Sequence, residues 1–175
     1  MKALYQQEQE CICMRPSMRS ISLLLLLLFM ACGVRQTAEE LWSSSKQQLQ
    51  ARQYHRAIKV LETLVDAYPE HPLAPKAQFQ IGDIYMNNTN DLRSSIAAFQ
   101  ETTTRYPETD EGLKALFMIG FVNANHIGNY DAAREAYLDF LNRYPNHELI
   151  PSVKFELENL GKAVEDIDAL KSVGG

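Results

Sequence analysis

The sequence predicts an all-α protein made of stacked, antiparallel helix pairs. The first observation is an internal repeat: a Tyr-Pro pair begins at positions 68, 106 and 144, an interval of 38 residues each time (106 − 68 = 144 − 106 = 38). The second is that apolar residues within a repeat fall at the i, i+3 and i+4 spacing of helices. The third is that glycine, asparagine and proline separate these apolar segments, as in turns between helices. Repeats of this length are typical of helical solenoids, in which neighbouring units stack.

The register of the repeat extends beyond the Tyr-Pro pair without a gap. Matching positions carry either a large apolar or a small side chain. The large ones are Leu41, Phe79, Phe117 and Phe155, followed by Leu61, Phe99 and Tyr137. The small ones are Ala57, Ser95 and Ala133, together with Ser44, Gly82 and Gly120. Small side chains let two helices approach closely while a large side chain fills the remaining gap, so the pattern predicts the contact points of the helix pairs.

The third repeat shows its two helices clearly, on either side of the segment HIGNYD. This segment is predicted to be a turn, because Gly128 and Asn129 are helix breakers. Asp131 is the predicted N-cap of the second helix, since a carboxylate can accept hydrogen bonds from the first free N–H groups. Pro145 is predicted to end that helix, because the residue before a proline is pushed out of the α region.

The repeats divide the chain into three units and a cap. The repeat domain is predicted over 37–171, with units 37–72, 73–110 and 111–148 and a capping helix over 149–170. The predicted outer face of the capping helix is polar and carries Glu156, Glu158, Lys162, Glu165 and Asp166. A stack of repeats needs such a terminal helix to cover its last seam.

The repeats resemble the tetratricopeptide repeat (TPR). The small residue in the first helix of that family falls on Gly82 and Gly120, its alanine in the second helix on Ala57 and Ala133, and its closing proline on each Tyr-Pro pair. The lengthened junction YPEHPLAPKAQFQIGDIY is similar to that of two bacterial groups. These are the BamD-type outer-membrane assembly lipoproteins and the C-terminal domain of the Tol-Pal accessory protein YbgF/CpoB. The resemblance implies a right-handed superhelix whose inner face is lined by the first helices.

The leucine-rich stretch SLLLLLLFMACG predicts a signal peptide region over residues 1–31. As a helix, the apolar run 21–31 would reach only about 16 Å, against the ~30 Å of a hydrocarbon core, which argues against a transmembrane span. Arginines precede the run and small residues follow it, as in secretory signals. The alternative without export is a cytosolic repeat co-chaperone that buries this stretch as a core helix.

The sequence Phe-Met-Ala-Cys at the end of the run resembles a bacterial lipobox. The resemblance implies cleavage before Cys32, lipidation of its thiol, and a short tether over 32–36. A plain signal peptide, giving an exported soluble form, is the alternative. Residues 1–17 are interpreted as a start-site overrun, with Met14 or Met18 as the true start, because they lack the character of a signal peptide.

The composition narrows the classes of partner. The chain carries 17 Lys and Arg against 22 Asp and Glu, a formal net charge of −5. Nucleic acid and anionic lipid surfaces are poor partners for such a chain, so its only predicted membrane contact is through the lipid anchor. With the cysteines at positions 11 and 13 removed, Cys32 is the one thiol left, and lipidation would consume it.

No motif for catalysis is visible in the sequence. There is no G-x-S-x-G nucleophile elbow, no G-x-x-x-x-G-K-[ST] phosphate loop and no G-x-G-x-x-G dinucleotide fingerprint. His71 and His147 share one repeat position after Tyr-Pro and are predicted to be turn residues. The sequence therefore predicts neither an enzyme nor a metal or cofactor site, and an envelope enzyme with a cryptic site is the alternative.

The remaining candidate for function is a binding surface on the first helices. By the TPR resemblance, the inward-facing positions are Lys76, Asp83, Asn87, Lys114, Phe121 and Asn125. Phe79 and Phe117 also fall there, but we assign them to the core because they keep the repeat register.

The resemblance implies a lipid-anchored, periplasm-facing scaffold that binds envelope proteins or peptides. Its setting would be outer-membrane protein assembly or the Tol-Pal and peptidoglycan machinery, and the alternative is a pilus or secretion-system assembly lipoprotein. Gly33 after the cysteine is compatible with the outer membrane, and the inner membrane is the alternative location.

Overall fold

The computed structural model describes residues 35–162, and all its regular elements in that range are helices. They are α1 (Ala38–Gln50), α2 (Tyr54–Ala67), α3 (Ala74–Ile84), α4 (Leu92–Arg105), α5 (Asp110–Val122), α6 (Tyr130–Arg143) and α7 (Ile150–Glu158). Each helix packs against the next along the chain, and α3 also contacts α5. The predicted all-α fold of paired helices is confirmed. We call α1, α3, α5 and α7 the A helices, and α2, α4 and α6 the B helices.

The helix pairs meet where a small residue faces a large ring. A Cβ atom added to Gly82 would lie 2.6 Å from the Phe99 ring, and one added to Gly120 would lie 2.4 Å from the Tyr137 ring. Both rings are fully buried. Ser95 also joins the second pair, because its hydroxyl donates to the carbonyl oxygen of Gly82 at 2.9 Å. The packing role predicted for Gly82, Gly120 and Ser95 is confirmed.

The prolines end the B helices as predicted, since α2, α4 and α6 each stop just before a Tyr-Pro pair. The prediction for the start of α6 is wrong by two residues. Asn129, and not Asp131, is the N-cap, and its side chain accepts a hydrogen bond from the N–H of Ala132 at 3.2 Å. Gly128 is left-handed and the helix begins immediately after Asn129, so Asp131 lies inside its first turn.

Two A helices end in a way that the sequence did not predict. α3 and α5 continue into π-helical turns over Tyr85–Thr89 and Asn123–Ile127. A left-handed residue closes each turn, Asn90 in the second unit and Gly128 in the third. Arg52 is left-handed at the matching position of the first unit. All three units therefore have a left-handed residue at this position, although the residue type differs in each unit.

In the described part of the chain, the capping helix α7 begins at Ile150, one residue after its predicted start. α7 ends at Glu158, and residues 159–161 form a turn that ends with the left-handed Gly161. This turn interrupts the single helix predicted over 149–170, and residues 163–170 lie outside the described part of the chain. Val153 is fully buried and anchors α7 on the core of the third unit.

The close contact at Gly120 generates a stability prediction. Gly120→Leu places a large side chain where the Tyr137 ring lies, so it should lower the free energy of unfolding by about 1–3 kcal/mol or more. Urea or thermal unfolding measures the change. The matched variant Gly120→Ser with Tyr137→Leu copies Ser44 and Leu61 of the first unit and should be closer to wild type. An unchanged melt for Gly120→Leu would contradict the repeat register.

Candidate partner-binding face of the A helices

The candidate residues lie on α3, α5 and the π turns that follow them. We define the A-helix face as Lys76, Asp83, Asn87, Lys114, Phe121 and Asn125. Asn87 and Asn125 occupy the two π turns and are exposed, as are both lysines, while Asp83 and Phe121 are half-buried. The contact between α3 and α5 brings the second and third units side by side. The six side chains form no ion pair or side-chain hydrogen bond with one another.

Lys76 and Lys114 occupy the same position on two neighbouring A helices. Neither ammonium lies within 4.0 Å of a described carboxylate. The neighbouring ion pairs use other residues, such as Arg143 with Asp139 on α6. Both lysines are therefore available to a carboxylate from outside the described chain.

Phe121 belongs to a short row of aromatic rings. Its ring centroid lies 6.3 Å from that of Phe117 and 5.7 Å from that of His126. Phe117 in turn lies 5.9 Å from the buried Tyr137 ring. The row therefore runs from the core at Tyr137 to the exposed His126 in the π turn. Such half-buried aromatic surface is a favourable anchor for a partner side chain.

Phe79 and Phe117 pack as predicted, although each keeps part of its surface in solvent. Both rest against the buried cluster of the third unit. The ring centroid of Phe79 lies 5.2 Å from that of Phe99. Both residues are therefore the outer layer of the core beneath the A-helix face.

His126 was not among the surface residues predicted from the sequence, although its ring extends the aromatic row of the A-helix face. Its approach to Phe121 depends on the π turn, which adds a bend that helical periodicity does not reveal. Asn125 was predicted as a contact residue, but part of its amide is used locally. Its side-chain nitrogen donates to the carbonyl oxygen of Phe121 at 3.2 Å.

The two repeat-related histidines lie in turns, as predicted. The Nδ1 atom of His71 accepts a hydrogen bond from the N–H of Leu73 at 3.2 Å, and that of His147 accepts one from Leu149 at 3.1 Å. The Nε2 atom of His71 lies 3.1 Å from a carboxylate oxygen of Glu39, so this ring also holds the start of α1. Among residues 35–162, no three His, Cys, Asp or Glu side chains are grouped to hold a metal ion.

Asp83 is the one strongly perturbed carboxyl on the A-helix face. Its half-buried position disfavours the charged form and raises the pKa to about 6. No described cation pairs with it. The matching residue of the third unit is Phe121, so the same site holds a ring in one unit and a carboxyl in the next.

The raised pKa of Asp83 generates a prediction about stability and pH. The native state keeps the proton to a higher pH than the unfolded chain does, so stability falls as pH rises from about 4 to about 6. Asp83→Asn should therefore raise the free energy of unfolding at pH 7 by on the order of 3 kcal/mol and leave it nearly unchanged below pH 4.

Urea unfolding at pH 4 and pH 7 measures this difference. The exposed Asp110→Asn variant is the matched control, because it removes a carboxylate outside the A-helix face. An Asp83→Asn gain that is equal at both pH values would contradict the raised pKa.

Comparison with known proteins identifies a family. A family model described as outer membrane lipoprotein, YfiO, matches residues 35–164, about three quarters of the chain. No curated protein matches the chain. The family match confirms the resemblance to BamD-type TPR lipoproteins. Cys32 and the leucine run lie outside the described residues, and none of the helices in the described range is long and apolar enough to cross a membrane.

Proposed function

The chain belongs to the YfiO family of outer membrane lipoproteins, and from this membership we propose that it is a scaffold of the cell envelope. In this proposal a lipid on Cys32 anchors it in the outer membrane, and the helical repeats face the periplasm. Its work is to bind other envelope proteins during outer-membrane protein assembly, without a reaction of its own.

The observation that carries the proposal is the pair of unpaired lysines on the A-helix face. Lys76 and Lys114 contribute nothing to the core, since both are exposed. They stand at equal positions on two helices in contact, in a chain whose net charge is negative. Two cations at a fixed spacing favour a partner segment that presents carboxylates.

The aromatic row supports the same conclusion. A charged partner held by surface ion pairs alone would bind weakly, because exposed pairs contribute only about 0–1 kcal/mol each. Phe117 and Phe121 lie on the same helix as Lys114 and supply half-buried apolar surface next to the charge. The face thus combines an apolar anchor with charges that orient the partner.

The prediction for the A-helix face is that Lys76→Glu with Lys114→Glu weakens partner binding and leaves the fold intact. Both side chains are exposed and unpaired, so the free energy of unfolding should change by less than about 0.5 kcal/mol. A melting curve measures this change. A pull-down from detergent-solubilised envelope, followed by affinity measurement with the captured partner at low salt, tests the prediction.

The matched control is Lys59→Glu with Lys154→Glu. These lysines are also exposed, and the same charge changes fall on α2 and α7. Loss of binding in both double variants would indicate a general charge effect. Unchanged affinity in the Lys76/Lys114 variant would place the partner on another surface.

The anchor prediction concerns Cys32. Without its thiol no lipid can be attached, so Cys32→Ala should abolish incorporation of labelled palmitate and leave an uncleaved or soluble product. Gel mobility and membrane fractionation measure the outcome, with Cys32→Ser as the conservative companion. Palmitate labelling that persists in either variant would overturn the lipid anchor but not the A-helix face.

A further inference from the structure

A second concave surface lies on the opposite helices of the repeats. Two grooves run between neighbouring B helices, each with an A helix as its floor. The first lies between α2 and α4 over α3, with a volume of about 410 Å³, and the second lies between α4 and α6 over α5, with a volume of about 910 Å³. Their floors are the same repeat positions: Gln78, Ile81 and Tyr85 in one, Leu116, Ile119 and Asn123 in the other. The grooves are therefore a product of the repeat.

The second groove has a more apolar lining than the first. Leu116 replaces Gln78 on its floor, and Leu138 stands at its edge with half of its surface in solvent. The residue matching Leu138 one unit earlier is Gln100. Leu138 therefore adds exposed aliphatic surface at the edge of the second groove, where the repeat places an amide one unit earlier.

Acidic side chains outnumber basic ones in the lining of both grooves. Six carboxylates line them, against three guanidinium groups. The carboxylates are Glu62, Asp66, Glu101, Asp131, Glu135 and Asp139.

Two of the three cations are already used within the chain. Arg105 lies 3.2 Å from a carboxylate oxygen of Glu101 and donates to the carbonyl oxygen of Val65 at 3.4 Å. Arg143 holds Asp139, with both contacts at 2.7 Å. These pairs occupy the same repeat position in the two units, so they are part of the groove walls. Arg134 is the third cation, and it forms no ion pair with a described residue. The carboxylates of Glu62, Asp131 and Glu135 are likewise without an ion pair to a described residue, so the free charge of the grooves stays negative on balance.

We propose that these two grooves form a second docking surface, which binds a basic partner segment carrying a large aliphatic side chain. The aliphatic side chain lies in the second groove against Leu116 and Leu138, and lysines or arginines meet Glu62 and Glu135. Its balance of free charge is opposite to that of the A-helix face, where two free lysines outnumber the single carboxyl of Asp83. One chain can thus hold two partners of opposite charge on its two helix layers.

The test uses the whole protein in a non-ionic detergent and a short labelled peptide of lysines and serines around one leucine. Fluorescence anisotropy measures the dissociation constant, and a titration with detergent alone sets the baseline. Glu62→Lys with Glu135→Lys should weaken binding about tenfold or more at low salt, and Leu138→Ser should weaken it severalfold. Companion peptides with the leucine changed to serine, or the lysines to glutamate, should also bind more weakly.

The matched control is Glu108→Lys with Glu148→Lys. It changes the net charge equally, but both residues are exposed and lie outside the two grooves. Equal weakening by this control, or unchanged binding by the Glu62/Glu135 variant, would overturn the proposal. Neither outcome bears on the A-helix face, because its lysines are unchanged in every variant.

Discussion

The close approach of the A and B helices at the small residues is the constraint on which the structure depends. Phe99 and Tyr137 can be fully buried only because Gly82 and Gly120 leave room for their rings. That contact repeats at every 38th residue, so it sets the spacing within each pair and aligns each unit with the next. Since no disulfide joins the described helices, burial at these contacts and the core around them supplies the stability.

Because the core repeats from unit to unit, the exposed surfaces of the A helices and of the B helices repeat as well. The residues that bury the seam are fixed in type by packing, whereas those that point outward are free to differ from unit to unit. Lys76 and Lys114 are alike in two units, whereas Asp83 and Phe121 differ. The differing positions give each unit its own surface chemistry.

Sequence reasoning identified what depends on periodicity and failed where the backbone departs from it. The paired helices, the proline stops and the glycine contacts follow from spacing and side-chain size, and all were predicted. The π turns were not, because a wide helical turn leaves no regular signal in the sequence. The same gap explains the missed contact between His126 and Phe121, and the left-handed Gly128 explains why Asn129 caps α6 in place of Asp131.

The two helix layers therefore differ in a way that follows from their shared geometry. Between A helices, two free lysines outnumber the one unpaired carboxyl, Asp83, and the apolar element is an aromatic row that begins at Tyr137. Between B helices, Arg105 and Arg143 each pair with the carboxylate one turn earlier, so the remaining carboxylates outnumber the one unpaired guanidinium, Arg134. The balance of free charge is therefore positive between the A helices and negative between the B helices, and charge of this kind governs which partner a surface selects.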